Sequence, residues 1–78
     1  MNSFLQTRNR DVQRIHGLTP REVEVVRELC SGKTDIEIGE ALSISPYTVR
    51  AHLTGIFNVT GCHSRIALVG WAHERGLT

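Results

Sequence analysis

Three helix starts are written into residues 19–48 of this chain, too closely spaced for anything but short, tightly turned helices. Thr19-Pro20-Arg21-Glu22 places a threonine before a first-turn proline, with a glutamate three residues after the threonine. Thr34-Asp35-Ile36-Glu37 repeats the capping-box pattern, and Ser45-Pro46 repeats the cap followed by proline. Each pattern works because a side-chain oxygen accepts from a backbone amide that the first helical turn leaves unpaired.

Stops and apolar spacing fill in the rest. After Thr19, residues Val23, Val26, Leu29 and Cys30 recur at helical spacing until Ser31-Gly32 ends the run. The second helix turns Ile38, Gly39 and Leu42 inward, and its glycine points to close approach by another helix. Ser43-Ile44-Ser45 is a tight connection. The third helix runs to Gly61 with Val49, Leu53, Ile56 and Thr60 inward. A fourth runs from about Ser64 to Arg75, with Leu68, Val69 and Ala72 as its core residues and Gly76 closing it. No segment alternates long enough to make a strand. The expected fold is all-α: four short helices over residues 18–78, behind a tail or linker at 1–17. In that tail Leu5, Val12 and Ile15 could share a helical face.

Size and composition exclude whole classes. A chain of 78 residues is one domain that buries only about 60% of its unfolded surface, so it has no deep substrate cavity. Its 40% hydrophobic and 22% charged residues are a globular composition. No apolar run approaches the ~20 residues of a membrane helix. The start, MNSFLQTRNR, holds no apolar stretch of signal-peptide length. Cys30 and Cys62 are too few for a disulfide scaffold and are expected as reduced, buried thiols in a cytoplasmic protein. Cys62, His63 and His73 lack the paired spacing of a zinc site. No Ser/His/Asp or Cys/His set sits on a cleft, so an enzyme is not expected, and neither is a cofactor, a metal or a small-molecule ligand.

The net charge is only +1, but its distribution is uneven. Six of the eight acids lie in residues 22–40, and none lies between Ala41 and His73. Arg50, Arg65, His52, His63 and His73 occupy that acid-free stretch, and Arg8, Arg10 and Arg14 add charge near the N-terminus. Such a surface suits an anionic partner. Two helices joined by about three residues, the second acid-free outside, have the layout of a helix-turn-helix DNA reader.

At this point the chain resembles the LuxR/GerE-type (NarL-like) DNA-binding domain. The resemblance is carried by Leu18-Thr19-Pro20-Arg21-Glu22, Gly32, Glu37-Ile38, Ile44-Ser45-Pro46-Tyr47-Thr48-Val49-Arg50-Ala51-His52-Leu53 and Gly61-Cys62-His63-Ser64-Arg65. It implies a bacterial transcriptional regulator that binds double-stranded DNA, usually as a dimer, with the third helix in the major groove. The family's base-facing positions fall on Tyr47, Arg50, Ala51 and Thr54, and residues at this spacing share one helical face. Arg50 has the geometry for guanine O6 and N7, and Ala51 is small enough to touch a thymine methyl. A simple phosphate contact is the other reading of Arg50.

Lys33, Thr34, Thr48 and His52 are the expected phosphate contacts, near amide-rich helix starts. His52 fits equally well as a half-buried packing residue. Thr19, Glu22, Glu37 and Ser45 read as caps, and Arg65 as the partner of Glu22 or Glu37. Val59 stands where the family usually has a lysine that holds the DNA backbone, and the basic N-terminal segment could compensate as an arm. Ala67, Gly70 and Trp71 suggest a dimer or partner surface on helix four. Trp71 folded back on the core is the alternative.

The family usually carries this domain behind a receiver or ligand-sensing domain. A stand-alone small regulator and the C-terminal piece of a larger one are both open. The competing function is a protein-interaction module that uses Trp71, Ile36 and Tyr47 to bind a partner regulator or RNA polymerase.

Overall fold

The computed structural model describes residues 13–78. Four helices form among them: α1 (Pro20–Cys30), α2 (Asp35–Leu42), α3 (Pro46–Thr60) and α4 (Arg65–Glu74). Helix α1 packs against the other three, and α3 also packs on α2 and α4. Leu5 and Val12 of the expected tail face, and Arg8 and Arg10 of the basic arm, lie outside the described residues.

Every helix begins on a side-chain cap. Thr19 Oγ1 accepts from the Glu22 amide at 3.1 Å, and Glu22 Oε1 accepts from the Thr19 amide at 2.8 Å. Thr34 and Glu37 form the same reciprocal pair at 3.2 and 2.9 Å. Ser45 Oγ accepts from the Thr48 amide, and Ser64 Oγ from the Ala67 amide. Each cap contributes about 1 kcal/mol.

Helix α4 ends in a Schellman motif: the Leu77 amide donates to the Ala72 carbonyl and the Gly76 amide to that of His73, with Gly76 at φ +71°. This return drops Leu77 into the core. Leu18 enters from the other end, one residue before the Thr19 cap, where it can staple onto Val23.

The core comprises Leu18, Val23, Val25, Val26, Leu29, Ile38, Val49, Leu53, Ile56, Leu68, Ala72 and Leu77. Val25 is fully buried beside Val26, although helical spacing had reserved the inward face for Val23, Val26, Leu29 and Cys30. A helix packed on three neighbours buries more than one stripe, and Cys30 ends up half-buried at its margin. Leu42 and Thr60, expected inside, are also half-buried.

Val69 is a correction. It is 38% exposed, because Leu68 and Ala72 set the inward line of α4 and Val69 lies about 100° round the helix from Leu68.

Gly39 needs a different explanation from the one its sequence suggested. Its close neighbour is the α2–α3 turn, where a Cβ would lie 2.5 Å from the Ile44 carbonyl oxygen. The turn itself starts with Ser43 in the left-handed region, at φ +59°.

Residues Ile15–Leu18, ahead of α1, form a tight turn. Ile15 and Leu18 exchange two backbone hydrogen bonds, of 2.7 and 3.0 Å. Residues 15–17, within the expected tail or linker, are exposed, and His16 meets the Trp71 ring edge-on.

Candidate nucleic-acid interface

The outer face of α3 is built by what its inner face must do. Val49, Leu53 and Ile56 are buried, which fixes the helix's rotation. Tyr47, Arg50, Ala51 and Thr54 are thereby turned out and are all exposed, Tyr47 at 81%. Asn58, which the sequence reading passed over, continues the same face and is exposed. Four residues on from Thr54, it could have been found by extending the spacing one more turn. Thr54 Oγ1 donates to the Arg50 carbonyl, leaving its oxygen lone pairs outward. His52 is half-buried on the flank.

Arg50 has two neighbours in this region, Tyr47 and Asp35. Its guanidinium lies 5.2 Å from the centre of the Tyr47 ring. Its Nε stands 3.6 Å from Asp35 Oδ2. The other oxygen of the same carboxylate, Oδ1, accepts from Arg65 Nη1 at 2.8 Å, while Arg65 Nη2 donates to the Lys33 carbonyl at 3.0 Å. Lys33, Thr34, Asp35, Ile36, Arg50 and Arg65 line an open groove between the start of α2 and α3.

The partner of Arg65 is therefore Asp35, not Glu22 or Glu37. Both glutamates are folded back onto the amides of their own caps. Asp35, one residue past its cap, turns instead across the groove toward the start of α4. Local capping rules identify Glu22 and Glu37 but are silent on this contact, which spans thirty residues of sequence. Asp35, like Asn58, is a residue of this region that the sequence patterns do not single out.

Of the expected phosphate-binding groups, Lys33 and Thr34 line this groove and Thr48 and His52 do not. Lys33 Nζ pairs with Glu28 Oε1. Thr34 Oγ1 serves the cap of α2, and Thr48 Oγ1 lies 3.1 Å from Ser45 Oγ at the start of α3. Both side chains of the Lys33–Glu28 pair are half-buried.

On α4, Trp71 is half-buried and packs against the core. His16 meets its ring edge-on at a centroid distance of 6.2 Å, and the Arg75 guanidinium lies 4.4 Å from its centre. Ala67 and Gly70 remain exposed. The large apolar side chains open to solvent on this helix are Ile66, at 85%, and Val69. Burial pushes the Cys30 thiol above its ordinary pKa. Among the described residues no group of His, Cys, Asp or Glu is arranged to hold a metal, and no helix is long and apolar enough to cross a membrane.

A capped helix, a three-residue turn and a second helix with an acid-free outer face, braced by helices on either side, define a helix-turn-helix domain. The profile of the bacterial regulatory proteins of the luxR family (GerE) matches residues 16–72, and the chain belongs to that family. It is 42% identical over 59 residues to a Mycobacterium tuberculosis protein named as an HTH-type transcriptional regulator, covering 76% of this chain and 7% of that protein. It is 40% identical over 60 residues to the Fimbriae Z protein of Salmonella typhimurium, covering 77% and 29% respectively. It is 42% identical over 60 residues to the quorum sensing-dependent transcriptional regulator VjbR of Brucella melitensis, covering 77% and 23%. The chain thus spans less than a third of each of these relatives. The family is one of DNA-binding transcriptional regulators rather than enzymes.

Proposed function

We propose that the domain reads double-stranded DNA by sequence, with α3 in the major groove and a second copy joined through α4. The observation that carries this reading is the outer face of α3: Tyr47, Arg50, Ala51 and Thr54 exposed together, with no acid on the helix. Arg50 would pair with a guanine, Ala51 would meet a thymine methyl, and Tyr47 and Thr54 would reach a base edge or phosphate. Asn58 extends this contact by one turn. Lys33, Thr34, Thr48 and His52 would hold the phosphates on either side, and Arg14 adds a cation before α1. Regulation then takes place in the cytoplasm, where bacterial DNA lies.

The second copy would dock on the exposed Ile66, Val69, Ala67 and Gly70 of α4. Trp71 contributes less, since His16 and Arg75 already cover its ring.

Selection from a random duplex pool at moderate salt tests the reading. The expected result is enrichment of a motif with two half-sites. Arg50→Ala should erase the preference at one base pair of each half-site, a loss of about 1–3 kcal/mol. A pool that enriches nothing would sink the proposal. It would favour the second reading, a protein-interaction module binding a partner regulator or RNA polymerase, for which the exposed Ile36, at 61%, and Tyr47 offer apolar side chains.

A further inference from the structure

We infer that Asp35 is a positioning residue for Arg50, holding its guanidinium in the pose that reads DNA. The inference rests on α3 being the reading helix.

The Asp35 carboxylate is fixed before it meets Arg50. Its Oδ1 accepts from Arg65 Nη1, and Arg65 is itself anchored by a second hydrogen bond to the Lys33 carbonyl. The side chain is only 25% exposed. What remains is Oδ2, 3.6 Å from Arg50 Nε. The contact falls on the one guanidinium nitrogen that a guanine does not need. Among the described residues neither terminal nitrogen of Arg50 is in a hydrogen bond, and these two would make the parallel pair of bonds to O6 and N7. Tyr47 limits the same side chain from a second direction, 5.2 Å away. An arginine loses much rotamer freedom when ordered, so a side chain already restrained loses less on binding.

Asp35 also has an electrostatic cost that a purely structural residue would not need to bear. It puts a negative charge in the groove where Lys33 and Thr34 are expected to meet phosphate. The carboxylate therefore opposes binding to any duplex while favouring the sequence that Arg50 can read. Its net effect is discrimination rather than affinity.

The test compares the native domain with Asp35→Asn on duplexes carrying the selected site, the site with Arg50's base pair changed, and unrelated sequence. Asn keeps an oxygen acceptor for Arg65 but carries no charge. The expected result is several-fold tighter binding to unrelated DNA. Discrimination at Arg50's base pair, about tenfold or more in the native domain, should fall at least about threefold. Discrimination at the other base pairs should be unchanged. In an Arg50→Ala background, Asp35→Asn should have no effect on that base pair.

Thermal unfolding is followed for every variant, and Asp35→Ser replaces Asp35→Asn if the latter does not fold. Native-like discrimination in Asp35→Asn overturns the inference. So does an equal loss at every base pair, because that marks a structural role only. If the native domain itself prefers no sequence, the reading of α3 has failed and the inference falls with it.

Discussion

Gly39 and Ile44 meet backbone to backbone. The Ile44 amide donates to the Gly39 carbonyl at 2.9 Å, and the Ile44 carbonyl stands 2.5 Å from where a Cβ on Gly39 would be. This contact sets how closely α2 approaches the start of α3, and so the position of the groove between them. A larger residue must push the turn outward, against backbone atoms rather than a flexible side chain. Gly39→Val should therefore cost about 2–3 kcal/mol, within the range for overpacked cores plus β-branching in a helix. At about 4–8 °C per kcal/mol for a domain this size, thermal unfolding should show a loss of roughly 10 °C or more. Gly39→Ala should fall between the two, since its helix-propensity gain of ~1 kcal/mol partly offsets the displacement. A valine variant as stable as the native chain would show that the turn is not under this constraint.

Val59 is 46% exposed near the C-terminal end of α3, and a Cβ on Gly17 would lie 2.8 Å from its Cγ1. The contact is with the turn before α1, where Gly17 has φ +87°. A lysine here could keep its stem on that turn while its ammonium reaches solvent. Val59→Lys should then add one phosphate contact. The slope of log affinity against log salt should steepen by about 0.9, and affinity for all duplexes should rise at low salt without change in the preferred sequence. Salt titration by fluorescence anisotropy would measure this. An unchanged slope would place residue 59 away from the DNA backbone.

How much of this was legible in the sequence follows from the range of each interaction. The caps at Thr19, Thr34 and Ser45 connect residues three apart, so the residue order contains them whole. The outward face of α3 follows from helical spacing once Val49, Leu53 and Ile56 are turned in. Val25 and Val69 did not follow, because spacing gives a stripe but not its width or centre. Those are decided by how many helices pack around α1 and how few around α4. The Asp35–Arg65 contact was likewise hidden, since nothing local marks two residues thirty apart as partners. Arg65 was recognisable as half of an ion pair, but only the folded chain, which brings the start of α2 within reach of Arg65, chooses its acid.

Cys30 carries a pH dependence of known sign. Burial raises its pKa above the ordinary thiol value, so at alkaline pH the folded state holds a proton that the unfolded state has released. Stability is then fully present below the unfolded thiol's pKa, about 8.5, and is lost as pH rises toward the folded value. Cys30→Ala should remove this contribution and flatten the alkaline side of the stability profile. Urea unfolding of both proteins between about pH 7.5 and 10 would compare them. Parallel profiles would mean that the Cys30 thiol is as well solvated in the folded chain as in the unfolded one.

Ile66 offers the sharpest test of assembly, because it is 85% exposed and contributes nothing to the core. Ile66, Val69, Gly70 and His73 lie at spacings that share one face of α4. If that face joins two copies, Ile66→Glu brings like charges together across a two-fold interface, where each copy presents the same patch. The variant should unfold at nearly the native temperature, since a surface substitution away from special contacts changes stability by less than about 0.5 kcal/mol. Its affinity for a single half-site should be native. Its affinity for DNA with two half-sites should fall by tenfold or more, because linked binding gains its advantage only when both copies engage together. Sedimentation of the protein with each duplex would separate the one-copy and two-copy complexes. Native two-site affinity in Ile66→Glu would remove α4 as the dimer surface and leave its exposed isoleucine without a role in DNA binding.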